Sequence, residues 1–160
     1  MKRQGGFTLI EMVVVIVILG ILAVTAAPRF LNLQNDARKA SLQGLKGGVD
    51  GAAGIVFGKA AINGIESNDA DADNKVEDIL VAYGYPTAAD GGINNAVVGL
   101  STDWVIKYDD KSAPKNAVMT FKTNTVYSTV KEIRDTECFV QYNQATSSAV
   151  ATAVVTDTKC

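Results

Sequence analysis

From Met12 to Ala27 no charged side chain occurs, and valine, isoleucine and leucine supply most of the run. About twenty apolar residues in one helix are enough to cross a bilayer, so this stretch limits the chain to lipid or to a partner that replaces lipid. A basic leader, Met1-Lys2-Arg3-Gln4, and the pair Gly5-Gly6 precede it, and a lone carboxylate, Glu11, stands at its start. Three fates fit such a run. It can be a secretory signal cut near Thr25-Ala26-Ala27, a plain membrane anchor, or a segment cut on its N-terminal side and kept. Glu11 favours the last, because a carboxylate at the head of an apolar helix is unfavourable to bury and is retained for function. The two glycines leave the backbone ahead of Phe7 open to a protease.

Gly6-Phe7-Thr8-Leu9-Ile10-Glu11 with its aliphatic continuation resembles the N-terminus of the type IV pilins of the type IVa class. The likeness is strongest from Phe7 to about Ala40. It implies cleavage between Gly6 and Phe7 by a prepilin peptidase that also N-methylates Phe7. It implies that Phe7 and Glu11 act in assembly, with the Glu11 carboxylate meeting the Phe7 amine of a neighbouring copy. A buried carboxylate without a partner is strongly unfavourable, so an ammonium docked beside it sets register.

The precursor has 15 basic and 17 acidic residues, and loss of Lys2 and Arg3 leaves 13 against 17. No basic field is present to neutralise phosphates, so no nucleic-acid partner is expected. Histidine is absent, which removes the commonest general base and transition-metal ligand. No catalytic residue and no cofactor are expected. Lys2 and Arg3 favour a cytoplasmic N-terminus, which places the bulk of the chain in an oxidising compartment. Cys138 and Cys160, the only cysteines, then read as a disulfide rather than idle thiols. The pilin resemblance implies the same pairing, closing a C-terminal region.

The expected fold is α+β: a long N-terminal helix packed on an antiparallel sheet of about four strands. The organisation reads as a cleaved leader at 1–6, a membrane or filament-core half-helix at 7–28 and an amphipathic half-helix at 29–60. A variable region at 61–102 and a sheet head with the disulfide at 103–160 follow. Gly20 and Pro28 are expected break or flexible points, since one weakens a helix and the other removes a donor. Past Pro28, Asn32, Asp36, Lys39, Gln43, Lys46 and Asp50 share one helical face. Leu42, Leu45, Val49, Ala52 and Val56 share another. Between them lies a row of small residues, Ala37, Ala40, Gly44, Gly48 and Gly51. That row suits close approach of another backbone, either the head's own sheet or a neighbouring helix. A broken helix is the alternative.

Asn63-Gly64 is a turn signal. Asp69, Asp71 and Asp73 have the spacing that opens a calcium loop, but Asn74 replaces its glycine and Leu80 its closing glutamate. They read as a solvated acidic loop, and no metal site is expected. Lys75 to Tyr83 reads as a short helix with Val76, Ile79 and Leu80 inward. Strands are expected at Trp104–Tyr108, Ala117–Phe121, Cys138–Tyr142 and Ala149–Val155. Thr123 to Asp135 stays open between loop, strand and helix.

The resemblance implies a major pilin that polymerises with copies of itself into a surface filament for adhesion and biofilm growth. Its partners would be the peptidase, the pilus assembly machinery and minor pilins. Its location would be the inner membrane, with the head in the periplasm, and then the extracellular pilus. Two alternatives stand beside it. A type II secretion pseudopilin shares the N-terminal motif, although the usual major pseudopilin has a calcium site and no cysteine pair. A membrane-tethered periplasmic enzyme or binding domain is the other.

Overall fold

The computed structural model describes residues 6–71 and 73–160, with backbone only at 27–32. The leader residues 1–5 and the side chains of Pro28 and Asn32 lie outside the described residues. The chain divides into two units, Met1–Arg38 and Lys39–Cys160. One helix, α1 (Leu9–Asn63), supplies most of the first unit and the opening of the second.

Within the first unit α1 runs as continuous helix through Gly20 and Pro28 in the single subunit. One missing donor does not stop a helix whose ladder is already long on both sides. Further along the same helix, Thr25 donates its hydroxyl back to the Ile21 and Leu22 carbonyls.

In the second unit α1 buries Leu42, Leu45, Val49, Ala53, Val56 and Ala60. These recur at three and four residues, so they form one stripe. Between Val49 and Val56 the buried alanine is Ala53, not Ala52. The helix ends where the sequence indicated. Gly64 takes φ 69°, its N–H bonds the Ala61 carbonyl, and the Ile65 N–H reaches back to Ala60. This is a Schellman stop, which a residue with a Cβ would strain.

The expected helix at Lys75–Tyr83 is a correction: the segment is strand. β1 (Lys75–Val76), β2 (Ile79–Ala82) and β3 (Tyr85–Pro86) form a small antiparallel sheet in that order. Tyr83 and Gly84 both have positive φ, 50° and 78°, which is the two-residue turn that matches strand twist. Gly84 is further constrained, because a Cβ there would lie 2.7 Å from the Phe57 ring. A nine-residue segment ending in such a turn gains more from pairing than from a helix too short to hold itself. Two short helices, α2 (Ile93–Ala96) and α3 (Leu100–Asp103), lead into the main sheet.

That sheet has β4 (Trp104–Asp109), β5 (Asn116–Phe121), β6 (Phe139–Asn143) and β7 (Thr152–Thr156), antiparallel in chain order. The last strand is shorter than expected. Thr146 bridges Ala149 in a tight turn, and Ala149 to Ala151 lie outside the ladder. The open region 123–135 resolves into a loop and α4 (Val130–Asp135), whose Thr129 cap accepts from the Glu132 N–H. One face of the sheet, through Ala117, Met119, Val140, Tyr142 and Ala153, packs on the Leu42–Ala53 stripe. The other carries Val118 and Phe139 under Ile133 of α4. Beside that second cluster Arg134 spans three strands, reaching Asn116 Oδ1 at 2.8 Å, Gln141 Oε1 at 3.3 Å and Asp109 Oδ2 at 3.4 Å.

Tyr142 ties the two sheets together. Its buried hydroxyl donates to the Pro86 carbonyl at 2.7 Å, and burial pushes its pKa well above the usual phenol range. Tyr142→Phe should strand that carbonyl and lower unfolding free energy by about 1–3 kcal/mol. Urea unfolding of the detergent-solubilised chain measures it, and an unchanged midpoint would show that the bond contributes nothing net.

Candidate assembly site at the helix start

Thr8 and Glu11 form a reciprocal cap. The Thr8 N–H and hydroxyl both donate to Glu11 Oε2 at 2.7 Å, and the Glu11 N–H donates to Thr8 Oγ1 at 3.3 Å. This is the Thr-x-x-Glu capping box, which satisfies donors that the first turn of any helix leaves open. It fixes the helix start at Leu9 and leaves Gly6, Phe7 and Thr8 outside it. The Gly6–Phe7 peptide bond therefore lies in non-helical backbone, and a Cβ placed on Gly6 would meet nothing within 4 Å. Proteases bind extended chain, so a bond held outside a helix is accessible in a way that one inside it is not.

Phe7 is 83 % exposed. With Ile10, Glu11, Val14 and Val15 it lines a hollow of about 360 Å³ on the helix flank. From Leu9 to Ala26 the helix is long and apolar enough to span a membrane, and none of it is buried within the chain. The large aliphatic side chains from Leu9 to Val24 are between 49 and 82 % exposed. Glu11 is the one ionisable side chain in this span. The sequence reading singled out Glu11 but gave Thr8 no role, although the spacing of the two was visible.

Residues 1–27 match the prokaryotic N-terminal methylation motif. Over 53 residues the chain is 45 % identical to the type IV narrow pilus major component PilA5 of Thermus thermophilus. That stretch is 33 % of this chain and 46 % of the relative, so the match spans about half of the relative's length. No solved structure matches the chain.

At the other end, Cys138 and Cys160 are joined, with their Cα atoms 5.0 Å apart and a separation of 22 positions in sequence. A second fastening, unread in the sequence, accompanies the bond. Glu137, at φ 51°, pairs with Lys159, accepts from the Thr158 hydroxyl at 2.6 Å, and takes the Lys159 N–H on its carbonyl. Lys159 and Thr158 together hold the Glu137 carboxyl below its usual range. The acidic loop uses its carboxylates locally: Asp69 accepts from Ala70 N–H and Asp71 from Asp73 N–H. Among the described residues no three acidic, cysteine or histidine side chains gather as a metal site would require.

Proposed function

We propose that this chain is a structural subunit of a type IV pilus. Peptidase cleavage between Gly6 and Phe7 and methylation of Phe7 would prepare it. It would then leave the inner membrane by exchanging lipid around Leu9–Ala26 for other copies of itself. The observation that carries the reading is a capped carboxylate at the head of an apolar helix that nothing in its own chain covers, within a stretch matching the methylation motif. An uncovered helix of this kind needs lipid or neighbours, and a single carboxylate gives a neighbour one charged point to engage.

At finer grain we read it as a type IVa major pilin. The Pro28-Arg29-Phe30 junction, the glycine-rich helix and the disulfide-closed head resemble the major pilin of the mannose-sensitive haemagglutinin pilus, and adhesion and biofilm growth follow from that likeness. A type II secretion pseudopilin is the second reading, favoured by a motif the two classes share.

Intact-mass analysis of the exported protein tests the proposal. A product starting at N-methylated Phe7, recovered from sheared surface fibres, is the expected result. A start beyond Ala26 would mean that the apolar helix had been discarded, and would overturn it. The correct start with no fibre, but with lost protein secretion on deletion of the gene, would favour the pseudopilin.

A further inference from the structure

β7 is the last strand of the main sheet and pairs on one side only. Its ladder with β6 runs one residue against one, from Phe139 opposite Thr156 to Asn143 opposite Thr152, so no bulge turns the edge away. Among the described residues no other backbone hydrogen bond reaches 152–156. An open edge is a template for another strand, and folds ordinarily blunt it with charge, proline or a covering loop. β4, at the opposite edge, carries Lys107 and Asp109. β7 has no such protection. From Cys138 to Thr156 the chain holds neither a charged side chain nor a proline.

The residues along this edge also suit a particular occupant. Val150 is 63 % exposed and Val154 52 %, and Thr152 between them is exposed too. Ala151 and Ala153 turn the other way, toward the core. Val150-Ala151-Thr152-Ala153-Val154 reads the same in both directions. Two copies of it, laid antiparallel about a two-fold axis at Thr152, place threonine on threonine, alanine on alanine and valine on valine. Even-numbered residues then face even-numbered ones, so outward side chains meet outward ones and core-side alanines meet each other. Facing threonines and facing valines are favourable cross-strand neighbours. No charge opposes the pairing, because Asp157 and Lys159 fall beyond the five-residue ladder. The Thr146–Ala149 turn ends it on the other side.

We propose that this edge is a dimerisation surface, at which the Val150–Val154 segments of two copies pair antiparallel about Thr152. Main-chain hydrogen bonds supply the attraction, and the mirrored order of side chains selects a second copy over an unrelated strand. An isologous contact of this kind uses the same patch on both partners and closes on two copies. It does not propagate into a fibre, and it stands independently of the pilus reading.

The full-length chain in detergent tests it. Sedimentation at rising concentration should show a dimer. Thr152→Lys sets two like charges face to face and should weaken that dimer at least tenfold, with the thermal midpoint unchanged because the side chain is exposed. Mixing Thr152→Lys chains with Thr152→Glu chains should restore it. Introduced cysteines read the register. Cys138 and Cys160 are bonded to each other, so an added thiol is the free one. Facing residues in an antiparallel pair have Cα atoms about 4.5–5.5 Å apart, within reach of a disulfide. Thr152→Cys should therefore link to its own copy under mild oxidation. Val150→Cys, about 13 Å from its counterpart, should not, but should link to Val154→Cys in a mixture. A chain that stays monomeric, a dimer indifferent to Thr152→Lys, or self-linking of Val150→Cys would each overturn the assignment. Association through the apolar helix would be indifferent to Thr152→Lys and is thereby told apart. No outcome here bears on fibres, so failure of this proposal leaves the pilus reading to its own test.

Discussion

Glu11→Ala is expected to abolish surface fibres while leaving processed protein in the membrane at close to the wild-type amount. The carboxylate sits on an exposed apolar flank beside Phe7. Once copies pack there, a charge without its partner is strongly unfavourable, and truncating one member of a buried pair costs about 3–5 kcal/mol. Repeated at each subunit, that is enough to stop growth. The cap supplies the sharper experiment. Glutamine at this place still completes a capping box but carries no charge. Glu11→Gln should therefore preserve the helix start and still fail to give fibres. Electron microscopy and shearing assays score both variants. If glutamine restores fibres, the residue serves the cap and not a charged contact between copies.

Removal of the bridge should have the second-largest effect. The Cys138–Cys160 bond closes a 22-residue separation, and the chain-entropy account gives about 3 kcal/mol for such a loop. The paired change Cys138→Ser with Cys160→Ser should lower the thermal midpoint of the head by roughly 10–15 °C. Trp104, the single tryptophan, lies tilted against Phe121 with ring centroids 4.8 Å apart, so its fluorescence reports the sheet directly. The Glu137 contacts to Thr158 and Lys159 do not depend on the sulfurs and should keep the tail near its place. A midpoint lower by less than about 3 °C would mean that these contacts, not the covalent link, hold the terminus.

How much of this was legible follows the physics of each signal. The apolar run and the Leu42–Val56 stripe repeat over many residues, so they survive any local competition. Asn63-Gly64 was readable because a helix stop needs one particular backbone conformation, and glycine marks it. β4 and β5 were readable from their β-branched and aromatic residues around a turn-rich connection, and they pair over six residues, Trp104 opposite Phe121 to Asp109 opposite Asn116. Lys75–Tyr83 misled because Val76, Ile79 and Leu80 satisfy a helical spacing; the Tyr83-Gly84 turn at the window's end settled the matter in favour of strand. The glycine row pointed to close contact but not to which side. Only coordinates show that the sheet covers the leucine stripe and leaves the glycines open. The Glu137 fastening was out of reach, because no local pattern announces a contact between residues 21 and 22 positions apart.

The position of Cys160 orders events in time. A chain made from its N-terminus delivers the helix, both hairpins of the main sheet and all of β7 before this residue exists. The sulfur bond to Cys138 can therefore close only around strands that have already been synthesised. It cannot guide the pairing of any strand while the chain is still being made.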